Sequence, residues 1–125
     1  MIVLLPPSET KHQPTRGKAL DLAGLSFPAL CPTRAAVLAE LADLSGKPSA
    51  PEVLGVSAGL ADQVARNQRL ATAPTATAGA IYTGVLYDAL DLASMDISAR
   101  RRAARRLVVV SALFGALRIT DRIPA

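Results

Sequence analysis

The sequence predicts a mixed α/β fold, and three observations carry that prediction. Two short runs of branched apolar residues, 2–5 and 107–110, read as buried strands; apolar residues between them recur at helical spacing; and Gly, Pro and Ser mark the joints. Strands separated by helices argue for a sheet rather than a bundle. With 125 residues and 50% apolar side chains, one core can be filled and disorder is disfavoured. Aromatic rings come only from Phe27, Tyr82, Tyr87 and Phe114, so Leu, Val and Ala must supply most of the buried area.

Taken in order, residues 2–5 form a strand that ends at Pro6-Pro7. This opening run is too short for a membrane span and lacks the basic start of a signal peptide, which makes the cytoplasm the default location and excludes a membrane partner. Residues 8–18 carry Lys11, His12, Arg16 and Lys18 with Pro14 and Gly17, a polar, mobile loop with excess positive charge. It follows the strand's C-terminal end, the edge where open α/β sheets bind ligands. Residues 34–44 form an amphipathic helix on Ala36, Leu38, Leu41 and Leu44, stopped by Gly46. A helical turn at 51–54 starts on Pro51, and a second helix spans 57–70 with Ser57 as N-cap. The Ala/Thr-rich stretch 71–80 has too little pattern to assign. A short strand at 80–83, a helix at 85–92 and an Asp96-capped helix at 97–106 follow. Residues 107–110 read as a fully buried strand. After residues 113–117 no closing element is expected before Ala125, which reads as a fragment whose sheet lacks later strands.

The formal charge is +4, distributed unevenly. Residues 96–125 hold Arg100, Arg101, Arg102, Arg105, Arg106, Arg118 and Arg122 against Asp96 and Asp121 alone. Such a field fits either a phosphate-bearing partner or a solvated helix face. Cys31 and His12 are each the only residue of their kind, so an intrachain disulfide and a Cys/His metal cluster are excluded. Neither a G-x-x-x-x-G-K nor a G-x-G-x-x-G phosphate loop is present. No catalytic residue, metal or cofactor is expected.

Three segments resemble the YaaA family of peroxide-stress proteins: Leu4-Leu5-Pro6-Pro7-Ser8-Glu9-Thr10-Lys11, Tyr82-Thr83-Gly84-Val85-Leu86-Tyr87, and Ser111-Ala112-Leu113-Phe114-Gly115-Ala116-Leu117-Arg118 followed by Asp121. Ile119 stands where that family usually has proline, and Thr10 where it often has a small residue. Members are about twice this length, so residues 1–125 are expected to be the N-terminal portion of one such domain. The resemblance implies a single-domain mixed α/β fold with short strands between helices. It also implies protection from oxidative damage under hydrogen peroxide, a link to lower free intracellular iron, and DNA binding through a helix-hairpin-helix element beside a basic cleft. With no Cys/His cluster, an iron effect would be indirect.

Helix-hairpin-helix elements grip phosphates with the amides of a Gly-hydrophobic-Gly turn and the start of the next helix. Leu54-Gly55-Val56-Ser57-Ala58-Gly59-Leu60-Ala61 resembles that pattern, with Ser57 at the second glycine position. The donors would be Gly55, Val56, Ser57, Ala58 and Gly59; the same residues also read as a plain turn between packed helices. Arg66 and Arg69 would extend the phosphate track, and Lys11, Arg16, Lys18 and Arg118 would line the cleft if the two strands are neighbours. Tyr82 is expected to pack rather than stack on a base. The rival reading places a small anion, such as a nucleotide, at Ser8, Lys11, Tyr82 and Arg118, in an enzyme or a binding protein. A third is a chain that folds poorly alone. Residues 54–61 buried or lying in a continuous helix, their amides already bonded, would remove the hairpin reading.

Overall fold

The first strand finds its partner at the far end of the chain. A computed structural model describes residues 1–125. In chain order the elements are β1 (Val3–Leu5), α1 (Cys31–Ser45), α2 (Ala50–Val53), α3 (Ala61–Asn67), β2 (Ala76–Thr77), α4 (Ala78–Ile81), α5 (Val85–Leu90), α6 (Ile97–Arg106), β3 (Leu107–Ser111), β4 (Gly115–Arg118) and β5 (Arg122–Ile123), with single 3₁₀ turns at Leu22–Gly24, Pro28–Leu30 and Ala58–Leu60. β3 is the centre of a three-stranded sheet, parallel to β1 and antiparallel to β4, while β2 and β5 make a separate antiparallel pair. The predicted mixed α/β class is the class observed. One face of the larger sheet carries Val109 and Leu117, both wholly buried, against Ile81, Tyr82, Phe114 and Ile123.

Several elements differ from the sequence reading, each for a local reason. The expected helix at 57–70 is divided: a 3₁₀ turn precedes α3, which ends at Asn67, and the Ser57 side chain caps nothing. The expected strand at 80–83 is replaced by the one-turn helix α4, after which Tyr82 makes a single bridge to Lys11. The amides of Ala78 and Gly79 donate to the carbonyls of Asp121 and Ile119, so this segment docks end-on rather than pairing as a strand. Gly79 eases the approach, because a Cβ there would lie 2.8 Å from Leu92 Cδ1 and 3.3 Å from the Ile119 carbonyl oxygen. Helix α1 starts three residues earlier than expected and buries Arg34, Leu38 and Ser45, leaving Ala36 in solvent. Helix α5 ends before 92 because Asp91 takes a left-handed conformation. The N-cap at Asp96 is as predicted, its carboxylate accepting from the Ala99 amide at 2.7 Å.

The end of the chain does close. Ser111 Oγ accepts from the amides of Leu113 and Phe114 at 3.2 Å each, Gly115 turns with φ +65, and β4 folds back on β3. The chain then forms β5, whose partner is the Ala/Thr-rich stretch that carried no pattern of its own. Nor is β3 buried throughout, since Val110 is 48% exposed.

Two buried charged side chains tie these pieces together. Arg34, 2% exposed, donates from Nε to the Phe114 carbonyl at 2.7 Å, from Nη2 to Ala116 at 2.7 Å and from Nη1 to Phe27 at 3.4 Å. Asp121 accepts from the Ser26 amide and hydroxyl through Oδ1 at 3.1 and 2.8 Å, and from the Arg118 amide through Oδ2 at 2.8 Å. Charged partners make such bonds worth about 1.5–3 kcal/mol each, and the orphaned carbonyls add a cost when they are lost. Arg34→Met is therefore expected to lower stability by about 3 kcal/mol or more in urea denaturation. Asp96→Ala, which removes one exposed cap, should cost about 1 kcal/mol in the same assay.

Candidate functional site

Residues 8–12 and Lys18 are tied by hydrogen bonds to residues 75–83. Ser8 Oγ donates to the Thr10 carbonyl at 2.5 Å and accepts from the Thr83 amide at 3.1 Å, and the Thr10 and Thr83 hydroxyls meet at 3.1 Å. Lys11 bridges Tyr82, and the His12 amide donates to the Ile81 carbonyl at 2.8 Å. Farther on, the Thr75 amide and hydroxyl both donate to the Lys18 carbonyl, at 3.0 and 2.8 Å. Gly17, with φ +148, is what allows this contact, since a side chain would strike the Thr75 carbonyl. The polar composition of the loop concealed a backbone seam with residues 75–83.

This seam sets Lys11 beyond the C-terminal ends of β1 and β3, where a cleft of about 690 Å³ opens. Ser8, Lys11, Gln63, Arg66, Tyr82 and Ser111 are among its lining residues. A smaller cavity of about 320 Å³ adjoins it, shares Arg66 and adds Arg69. The Lys11 ammonium reaches the Glu9 carbonyl at 3.4 Å. Burial lowers the Lys11 pKa, with the Glu9 charge opposing that shift. Tyr82 is 3% exposed and packs against Tyr87, ring centroids 5.5 Å apart, so it is a wall of the cleft rather than a free stacking surface. Burial pushes the Tyr82 hydroxyl up, opposed by the neighbouring Ser111 side chain. The Tyr87 hydroxyl donates to the Pro6 carbonyl at 2.6 Å, and burial, then the neighbouring Tyr82, push its pKa up to about 12.

Ser8, Lys11 and Tyr82 are thus brought together, and Arg66 joins them. Arg118 is not. Its guanidinium donates to the Arg105 carbonyl and lies 5.3 Å from the Phe27 ring centre, because β4 points it to the opposite face of the sheet from Leu117. Arg16 and Lys18 are exposed and line neither cavity. In the glycine turn, the Gly55 and Val56 amides are taken by the Glu52 and Pro51 carbonyls at 3.1 and 2.9 Å, and Leu60 by Ser57 at 3.0 Å. The amides of Ser57, Ala58 and Gly59 donate to nothing within the chain, and all three residues are exposed. Residues 54–61 are neither a continuous helix nor buried; the amides of Gly55 and Val56 are occupied, and those of Ser57 to Gly59 are unbonded. Gln63 and Asn67 lie one turn apart on α3, a polar stripe with Arg66 that the sequence displayed but that only the packing of α3 on the cleft makes meaningful. The contribution of Ile123, Pro124 and Ala125 to the lining had no sequence signal.

No three His, Cys, Asp or Glu side chains gather in a group with metal-holding geometry, and no helix is long and apolar enough to cross a membrane. What the geometry defines is a mixed α/β protein with a basic cleft at the C-terminal edge of its sheet. A family profile described as peroxide stress protein YaaA matches residues 1–125, and the chain belongs to that family. It is 57% identical, over its whole length, to a UPF0246 protein of Streptomyces coelicolor. It is also 45% identical over 99% of its length to a UPF0246 protein of Corynebacterium glutamicum and 44% identical to one of Corynebacterium efficiens. The chain spans about half the length of these curated relatives, 49% of each.

The Tyr87–Pro6 bond gives a pH test. A phenol whose pKa rises from 10.0 to about 12 on folding contributes stability that is complete below pH 10 and lost as pH climbs through about 12. Tyr87→Phe should cost about 1 kcal/mol at neutral pH and flatten the loss of stability between pH 10 and 12, read from thermal melts across that range.

Proposed function

We propose that this chain acts in the cytoplasmic response to peroxide by binding DNA with little sequence specificity, limiting oxidative damage and affecting free iron only indirectly. One observation carries the reading. Arg66 lies on α3, just beyond the glycine turn, and lines both cavities, so the unbonded amides of Ser57, Ala58 and Gly59 immediately precede the helix that carries a cation of the cleft. Amide donors and basic side chains of this kind meet phosphate oxygens without reading bases. Lys11 and Arg69 extend the positive track at either side. Affinity would then be chiefly electrostatic, each phosphate contact releasing counterions.

The chemistry of the cleft also supports a narrower reading, a small anion held by Lys11 and Arg66. Its support is the Lys11 ammonium, which reaches a carbonyl rather than a carboxylate and faces a space large enough for a nucleotide.

Fluorescence anisotropy with duplex DNA over a salt series separates the two. DNA binding is expected to weaken steeply with salt, and the Arg66→Ala/Arg69→Ala double variant to reduce the slope of log K against log salt by about 2. Gly55→Glu, which adds an anion where a side chain has open space but a strained φ of +67, should also weaken binding. An affinity indifferent to salt would overturn the DNA reading. Loss confined to Lys11→Ala would favour the small anion instead.

A further inference from the structure

Carboxamide side chains are scarce in this protein, and the fold gathers them. The sequence holds four, Gln13, Gln63, Asn67 and Gln68, and the first three all line the cleft of about 690 Å³. Gln63 and Asn67 are one turn apart on α3 with Arg66 on the same face, while Gln13 comes from the loop after β1. None of these three side chains makes a hydrogen bond within the chain, so each keeps two N–H donors and a carbonyl acceptor for another partner. The same cleft has an apolar wall of Leu70, Tyr82 and Phe114, all buried. Its lining has one acidic side chain, Glu9, against Lys11 and Arg66.

A simple anion has use for the cations alone. A planar base needs more: apolar contact for its faces, and donors and acceptors in pairs along its edge, which carboxamides supply. We propose that the cleft is a nucleotide subsite, in which Lys11 and Arg66 take the phosphate while Gln63 and Asn67, with Gln13 from the loop, meet the edge of the base. This rests on the reading that those cations meet an external anion, and goes beyond it by assigning a base to the same ligand. Adenine is the base expected, because its amino group beside a ring-nitrogen acceptor is the pattern that one carboxamide pairs in bidentate fashion. The position agrees, since the C-terminal ends of the parallel strands β1 and β3 are where open α/β sheets hold nucleotides. The ligand comes from one of two sources, a free nucleotide or a single unit turned out of a DNA strand. Both bring the same phosphate and base to the cleft.

The test titrates the 125-residue chain with adenosine monophosphate and with ribose 5-phosphate by isothermal calorimetry, and compares a duplex carrying one bulged adenine with a fully paired duplex by fluorescence anisotropy. Adenosine monophosphate is expected to bind at least about tenfold more tightly than ribose 5-phosphate. Gln63→Leu and Asn67→Leu, each folded by circular dichroism, should remove most of that ratio and leave ribose 5-phosphate binding unchanged, whereas Lys11→Ala should weaken both ligands alike. Gln68→Leu, at the one carboxamide that is exposed outside both cavities, should change neither. A preference for the bulged duplex that Gln63→Leu abolishes assigns the nucleotide to a DNA strand; binding of adenosine monophosphate without that preference assigns it to the free pool. Equal affinity for the two small ligands with no bulge preference, or preferences indifferent to Gln63 and Asn67, overturn the base assignment and leave the anion reading standing. Failure of both small ligands to bind, with no bulge preference, overturns the subsite, and a paired duplex that still binds shows that the nucleic-acid reading survives it.

Discussion

Arg34 leaves water almost completely without a carboxylate to meet it. A lone buried guanidinium is costly, and the chain offsets that cost with backbone carbonyls at Phe27, Phe114 and Ala116. Two of those carbonyls belong to the β3–β4 hairpin and the third lies just before α1, so the arginine holds α1 against the turn of that hairpin. Asp121 repeats the arrangement with opposite charge, holding Ser26 and Arg118 through amides and a hydroxyl. Phe27 sits between the two clamps in a left-handed conformation, φ 60, a strain of order 1–3 kcal/mol that persists because its neighbours are fixed on both sides.

The cleft depends on this frame. With the hairpin held, β3 and β4 present Ser111 and Phe114 at one end of the sheet, and β5 lies against β2. The segment leading from β2 through α4 then supplies the carbonyls and amides onto which residues 8–18 fasten. Lys11 is positioned by backbone pairing with Tyr82, so its placement depends on main-chain geometry more than on its own side chain. That is a rigid way to hold a cation that makes no ion pair, and it suits a site that meets an external anion.

Charge count alone misdirects attention to the C-terminal arginines. Some are spent locally: on α6 Arg100 donates to the Ala93 and Met95 carbonyls and Arg102 to Ser98 Oγ, while Arg118 donates to the Arg105 carbonyl and Arg122 to that of Thr75. The cations that face the cleft are Lys11 and Arg66, from the part of the chain whose charges nearly balance. Local field, set by which side chains share a concave surface, differs from net charge summed along sequence.

Sequence by itself determined what rests on short-range chemistry. The Asp96 cap, the limits of α6, the strand character of residues 3–5 and 107–110, and the family segments around Lys11, Tyr82 and Ser111 were legible because each depends on neighbours within a few residues. Tertiary structure alone decided that Ala76–Thr77 is a strand and residues 80–83 are not, that Arg34 is the deepest charge, and that Arg118 turns away from the cleft. It also left Leu4 and Val110 in solvent. The reason is common to all of these. An Ala-Thr pair has no periodicity, an arginine carries no mark of the carbonyls it will find, and a valine reads the same whether its face of the sheet is covered or bare; those outcomes belong to partners distant in the chain.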